Sequence, residues 1–430
     1  MKSACTVCGS PLDHRAAYRG VCLSCASRAI ASRPDLGPYA SAAAAFAKIA
    51  RLRRIGLAVG GTSVLAWVLN GIVLSVMMKR DAGFNALIGA WIAFGGVQVA
   101  LAITAGTIIV RARAASKQLG VRPFGAGPAI LFFLLGGIGF IGSFGIPALF
   151  AVAAVLLGGG WGRPLRVGRR GVTPRVRPAN EWAKGPHPDV TTLSGPTRDA
   201  LTELWLHDAK KEHASVPAFA QVAWQLAALG APADLLARAN RSALQEIDHA
   251  QRCFALAGTY ARTEFGHTAM PELAAGMGAL PRSRVRALVA VARETLVEGA
   301  FIEGYNAALA RVGLEDATDP AARETLERIA VDEAAHAELA WDILAFCLDA
   351  GGAPVVRALT RAARSFGDLA PAPYRPEHLG LVALADPAAL REHGRVRPDA
   401  WAPTYAACRA ETLERLEQLF AMHARSNMVA

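Results

Sequence analysis

Three long stretches of the chain carry no charged residue. Ile55–Met78 and Phe84–Val110 hold 24 and 27 residues, each enough for a helix across a hydrocarbon core about 30 Å thick. Pro123–Trp161 holds 39, too many for one span and just enough for two, and Gly142-Ser-Phe-Gly145 with Pro147 marks a turn in its middle. None of these runs has a polar face, so they are expected to cross a membrane rather than form a soluble core. Beyond residue 195 the pattern changes to amphipathic helices with turn signals between them. A first helix should end near Leu229, stopped by Gly230, and Pro232 should open a second. A third should end near Val312-Gly313, and Asp319-Pro320 supplies the N-cap and first-turn proline of a fourth. Pro217 should kink the first helix. Residues 352–366 and 404–423 read as amphipathic helices of a C-terminal extension, with a Pro-rich loop between them.

Charge decides how the apolar runs are threaded. The 430 residues carry a net charge of +11, but it is unevenly placed: residues 1–184 hold 22 Lys and Arg against 4 Asp and Glu, and the remainder 24 against 31. The high pI therefore belongs to a basic, membrane-flanking half. Basic clusters precede the first run (Lys48, Arg51, Arg53, Arg54), follow the second (Arg111, Arg113, Lys117, Arg122) and follow the last (Arg163, Arg166, Arg169, Arg170, Arg175, Arg177). The first connection has only Lys79, Arg80 and Asp81. By the positive-inside rule the three rich clusters share the cytoplasmic side, which requires an even number of crossings or a re-entrant hairpin and favours four spans over three. No apolar run precedes residue 55, so no signal peptide is expected. Residues 162–195, rich in Arg, Pro and Gly, read as a juxtamembrane linker attracted to anionic lipid headgroups. Without interleaved aromatics or a recognised fold, nucleic acid is not an expected partner.

Cys5, Cys8, Cys22 and Cys25 form a Cys-x2-Cys-x13-Cys-x2-Cys pattern, which reads as a structural zinc site over residues 1–33. Gly9 suits the first knuckle, and the second runs into a helix at Ala26-Ser-Arg-Ala-Ile30. This resembles a treble-clef or zinc-ribbon module. The spacing is also similar to that of rubredoxins, whose one-electron iron centre some rubrerythrins carry, but the glycine that follows their second knuckle is missing here. Cys253, Cys347 and Cys408 fit buried apolar positions; Cys253 is one turn from His249.

The chemistry concentrates between Glu212 and His336. Glu246-Ile-Asp-His249 and Glu333-Ala-Ala-His336 repeat one spacing in the second and fourth helices. Positions three apart lie about 60° apart around a helix, so each pair aims an oxygen and a nitrogen at one point. The first helix supplies Glu212, and the third Glu294, Glu298 and Glu303. Counted from the turns, Glu212, Glu246, Glu298 and Glu333 reach similar heights. Glu303 should lie about 7 Å nearer its turn than Glu298 at 1.5 Å per residue, making it the poorer candidate. Glu294 is a further ligand or a surface charge, and Asp332 an acceptor behind a ligand histidine or a solvated carboxylate. A third Glu-x-x-His, Glu264-Phe-Gly-His267, contains glycine and has no carboxylate opposite it, so it reads as chance.

One Glu from each of two helices and Glu-x-x-His from each of two others resembles the ferritin-like di-iron and di-manganese carboxylate superfamily over residues 196–350. The resemblance implies an all-α, ferritin-like four-helix bundle beside a helical transmembrane region (50–161) and a small four-cysteine zinc module. It implies two iron or manganese ions held by Glu212, Glu246, His249, Glu298, Glu333 and His336, with redox chemistry on oxygen or peroxide. The duplicated motif is closer to hydroxylase and oxidase branches, such as tRNA hydroxylase and demethoxyubiquinone hydroxylase, than to storage ferritin. The expectation is a di-iron oxidoreductase anchored in the cytoplasmic membrane, acting on a lipid-soluble substrate. An iron-binding ferroxidase without organic substrate, or a bundle that is a metal-stabilised interaction domain, stays open; the C-terminal helical extension (351–430) is expected to pack against the bundle. With four spans both ends of the chain are cytoplasmic: labelling of terminal tags from outside intact cells should reach neither end, and labelling one end alone would require an odd number of crossings.

Overall fold

Residues 4–5, 7–9, 21, 23–36, 166–167, 170–270, 280–364, 366–367, 370, 374 and 376–429, with scattered positions between 55 and 111, are described in the computed structural model. The chain divides into two units, Met1–Ala40 with Gly159–Ala430, and Ser41–Gly158. The four expected spans fall almost wholly outside the described residues. Among those that are described, no helix is long and apolar enough to cross a membrane.

After a short helix α1 (Leu23–Ala31), the larger unit is built on two helical hairpins. Helix α2 (Gly195–Leu229) starts where the Ser194 hydroxyl accepts from the Thr197 amide, and it ends at Gly230. That glycine is left-handed (φ 69°), and the amides of Gly230 and Ala231 bond back to Ala227 and Leu226, closing the orphan carbonyls of the last turn. Pro232 then opens α3 (Ala233–Ala261), which lies along α2. The second hairpin begins with α4 (Arg284–Glu294), passes without a break through a π-helical segment (Thr295–Glu303) and continues as α5 (Gly304–Asp316). Helix α6 (Pro320–Gly351) returns from a cap in which Asp319 Oδ1 accepts from Ala322 N at 2.8 Å.

The third helix thus runs three residues past the expected stop at Gly313. Its glycine serves close approach instead of termination: a Cβ there would lie 3.0 Å from the carbonyl oxygen of Gly394. The core between the hairpins is apolar, with Phe219, Leu226, Leu288, Phe301 and Leu344 all under 2% exposed. Phe301 stacks on Phe366 and meets Tyr405 edge-on.

The C-terminal extension contains more structure than its sequence suggested. Besides α7 (Ala353–Ala363) and α10 (Trp401–Val429), the expected Pro-rich loop folds two short helices, α8 (Pro376–Leu384) and α9 (Pro387–Glu392). Proline at the head of both supplies the fixed φ that a helix start tolerates. Helix α8 lies against both α2 and α1, and at Gly380 an added Cβ would come within 2.8 Å of the Ala26 side chain. Residues 392–395 then close one end of the bundle. The Glu392 carbonyl accepts from Thr318 and Asp319 amides, His393 Nδ1 meets Tyr260 Oη at 2.9 Å, and Arg395 donates to Asp208 at 2.8 Å while lying over Trp205.

Part of the expected linker is likewise folded. Arg166–Val167 (β1) and Arg170–Gly171 (β2) form a small hairpin, and Val176–Pro178 (β3) pairs antiparallel with Phe265–His267 (β4). Asp189 N donates to Asp319 Oδ2 at 3.0 Å, so this stretch is tied to the bundle by backbone hydrogen bonds that composition does not announce.

Gly394 tests the closing segment. Its φ of 80° suits glycine, and a Cβ would fall 2.7 Å from Leu326 Cδ1. Gly394→Ala should therefore destabilise the protein by about 1–3 kcal/mol, read as a lower denaturant midpoint; an unchanged midpoint would contradict this packing.

Candidate metal centre

On α3 the buried positions Leu235, Ala239, Ser242, Glu246, His249 and Cys253 alternate at intervals of four and three, the rhythm of a core-facing stripe. On α6 the same rhythm runs through Ala322, Ile329, Glu333, His336, Ala340 and Cys347. The two Glu-His pairs therefore occupy core positions that helical periodicity normally fills with apolar side chains. Glu246, His249, Glu333 and His336 are each 0–1% exposed.

Ligating atoms of Glu212, Glu246, His249 and Glu333 all lie within 4.8 Å of one another. Glu246 is at the centre. Its Oε2 is 3.7 Å from His249 Nδ1, and its Oε1 is 3.4 Å from His336 Nδ1. Glu212 Oε2 approaches His249 Nδ1 to 3.9 Å. One carboxylate thus lies between two inward-facing imidazole nitrogens. Both oxygens of Glu246, His249 Nδ1, Glu303 Oε1 and Glu333 Oε2 are buried and have no hydrogen-bond partner. Buried polar atoms normally find partners, and a set of carboxylate and imidazole lone pairs turned into one space fits bound cations.

The outward nitrogens are held by a hydrogen-bonded chain. His249 Nε2 meets Asp332 Oδ2 at 3.0 Å, Gln245 Nε2 donates to Asp332 Oδ1 at 2.6 Å, and His336 Nε2 meets Gln245 Oε1 at 3.1 Å. Arg328 Nε donates to Asp332 from one turn earlier, at 3.0 Å. An ionised Asp332 can only accept, so the Gln245 amide must turn its NH2 toward it and its oxygen toward His336. His336 then carries its proton on Nε2, and His249, once its second proton gives way to a cation, keeps the one directed at Asp332, so that both Nδ1 atoms face Glu246 as donors to a cation.

Electrostatics match this layout. Burial raises the pKa of Glu212, with the His249 charge opposing. It pushes Glu246 and Glu333 well above the carboxylate range, helped by the neighbouring charges of Glu212 and Glu303 respectively. At His249, burial alone would lower the pKa, but the hydrogen bond to Asp332 and the adjacent Glu246 and Glu212 carboxylates outweigh it and carry the group to about 10. Burial would raise Asp332 too, yet its bond to His249 keeps it below the usual value.

The π-helical segment changes how the third helix presents its carboxylates. In an α-helix, positions five apart diverge by about 140°, so Glu298 and Glu303 would point in different directions. In the i→i+5 geometry of a π-helix they stand one turn apart on one face. Both are buried, and Glu303 is the carboxylate that most strongly affects Glu333 after burial itself. His336 borders the four converging residues without belonging to that set, and Glu298 is buried outside it. Glu294, at the end of α4, is exposed. Of the outer partners, Asp332 had been singled out from sequence and Gln245 had not. The signal for Gln245 was positional: it precedes Glu246 as Asp332 precedes Glu333.

His267 lies apart, in β4. Its Glu-x-x-His spacing is not helical there, and its ring packs 3.6 Å from that of His213, with Trp182 edge-on to both. Burial and the neighbouring His267 lower the His213 pKa to about 4.

A second cluster gathers the sulfurs of Cys5, Cys8 and Cys25 within 4.8 Å. Gly9 N bonds to Cys5 O at 2.9 Å in the first knuckle, with Gly9 at φ 70°, and Arg28 Nη2 donates to Cys25 Sγ at 3.4 Å. Cys22 falls outside the described residues. Cys253, Cys347 and Cys408 are buried.

No family model matches the chain, and neither the curated proteins nor the solved structures yield a match. Fold and site together define a helical-bundle protein with a buried carboxylate–histidine cluster.

A pH dependence follows. Between pH 6.5 and about 10 the folded, metal-free protein retains a His249 proton that the unfolded chain has released, so stability falls as pH rises. The raised pKa of Glu246 and Glu333 acts in the same direction. Thermal denaturation of metal-free protein should show midpoints falling from pH 6.5 to 9, and loading with Mn(II) should flatten the trend because the cation replaces the proton. A metal-free midpoint that rises over this range would contradict the assignment.

Proposed function

We propose that the chain is a membrane-anchored, ferritin-like dinuclear iron or manganese oxidoreductase. The observation that carries this reading is Glu246, buried between His249 Nδ1 and His336 Nδ1 with both oxygens lacking hydrogen-bond donors. Mixed carboxylate and imidazole donors suit iron and manganese. Glu246 would contribute to both positions, Glu212 and His249 to one and His336 to the other. Glu333, with Glu298 and Glu303 from the π-helical face, completes the set. When bound, the two ions supply redox chemistry with oxygen or peroxide. Asp332 and Gln245 hold the imidazoles in the ligating tautomer, and the apolar core around Phe219 and Phe301 excludes water.

Membrane anchoring rests on the three uncharged runs. The described positions within the first are helical, and Leu65, Leu69, Ile72, Val73 and Val76 expose apolar side chains at the spacing of one helix face. Thr104 and Thr107 turn their hydroxyls onto the carbonyls of Ala100 and Ile103, a bond satisfied within the helix as lipid surroundings require. An anchored site favours a lipid-soluble substrate delivered in the bilayer plane. The four-cysteine module takes one zinc ion.

Full-length protein should bind two iron or manganese ions per chain by elemental analysis. His249→Ala or Glu333→Ala should lower that figure, and His267→Ala should not. Iron retained over repeated reduction and oxidation fits an oxidoreductase. Progressive release of Fe(III) with renewed Fe(II) uptake, and no substrate-dependent oxygen consumption in membranes, would make the protein an iron handler instead.

A further inference from the structure

The two halves of the centre are related by a repeated pattern, and they differ where the pattern breaks. The residue before each motif glutamate reaches across to the other helix's histidine. From α6 that residue is Asp332, a carboxylate 3.0 Å from His249 Nε2; from α3 it is Gln245, a neutral amide 3.1 Å from His336 Nε2. A charged acceptor draws the Nε2 proton away from the ring and makes Nδ1 a stronger donor, and an amide does so far less. A second, independent difference points the same way. Glu212, Glu246, His249 and Glu333 already converge within 4.8 Å, whereas His336 stands outside that convergence. One position is preassembled from four side chains and the other is not.

Resting on the dinuclear reading above, we infer that the two cation positions are unequal: the one at His249 fills first and holds its ion more firmly, and the one at His336 is the weaker, exchangeable position, set so by Gln245. Gln245 is a positioning residue. It touches no reacting atom; it fixes the His336 tautomer and orientation and gives that Nε2 a neutral amide where His249 has a carboxylate. Its own NH2 is committed to Asp332 at 2.6 Å, so one carboxylate orders both histidines, directly on one side and through an amide on the other.

Stepwise loading of metal-free, full-length protein with 57Fe(II) under anaerobic conditions, followed by Mössbauer spectroscopy, separates the positions. In the wild-type protein the first equivalent should give one quadrupole doublet and the second a distinct one, with two separable affinities. Asp332→Asn should weaken the first step by about 10–100-fold and the second by less, through Gln245, so that the gap narrows. Gln245→Leu should weaken the second step by a similar factor and leave the first largely unchanged. A general loss of packing would lower both steps together, so the selectivity of each variant is the informative readout. Equal affinities with one doublet throughout in the wild-type protein, or both variants acting chiefly on the same step, would overturn the inequality while leaving a dinuclear site standing. Absence of any iron at the cluster would instead remove the dinuclear reading on which the inequality rests.

Discussion

Negative charge buried in an apolar bundle is the condition to which the rest of this structure answers. Glu246, Glu298, Glu303 and Glu333 are each under a tenth exposed, and an isolated carboxylate in such surroundings either takes up a proton or finds a counter-charge. The raised pKa of Glu246 and Glu333 shows the first response, and the convergence of imidazole nitrogens on Glu246 prepares the second. Repulsion of this kind costs stability unless cations relieve it, so a fold that keeps these groups together at core positions fits the proposed role in binding cations. Asp332 makes the arrangement specific. Its two oxygens receive His249, Gln245 and Arg328, which turns both Nδ1 atoms inward and sets the tautomer of each ring in its neutral, ligating form.

The helices serve that convergence. Capped turns at Gly230 and Asp319 set the heights at which facing ligands meet. The π-helical segment adds a rotation that an α-helix lacks, turning Glu298 and Glu303 to one side. Residues 392–395 close the end of the bundle and place Arg395 on Asp208, one turn before Glu212. Helix α8 joins the cysteine module's helix to α2, so the C-terminal extension belongs to the architecture of the site as well as to its packing.

Much of this was readable in the sequence, and the parts that were not share a cause. Turn signals such as Gly230-Ala-Pro232 and Asp319-Pro320 are local, since left-handed φ and a capping oxygen are properties of single residues, and they located both hairpins. The paired Glu-x-x-His motifs stood out because three-residue spacing has one geometric meaning on a helix. The face that Glu303 shares with Glu298 is not legible in the sequence, because no residue between Thr295 and Glu303 announces a wider turn. Gly313 looked like a stop because its use, close approach to the Gly394 carbonyl, depends on a segment 81 positions away. Gln245 and the strand pairing of residues 176–178 were invisible for the same reason: their partners, Asp332 and residues 265–267, are distant in sequence.

The central claim is that one buried carboxylate, Glu246, separates two cation positions. Anomalous diffraction from crystals of the full-length protein loaded with Mn(II) or Fe(II), collected on either side of the metal absorption edge, tests it most directly. The account predicts two peaks about 3.5–4 Å apart, one beside His249 Nδ1 and the other beside His336 Nδ1, with the Glu246 carboxylate between them. A single peak, or metal only among the cysteines with the glutamates left as protonated pairs, would contradict it.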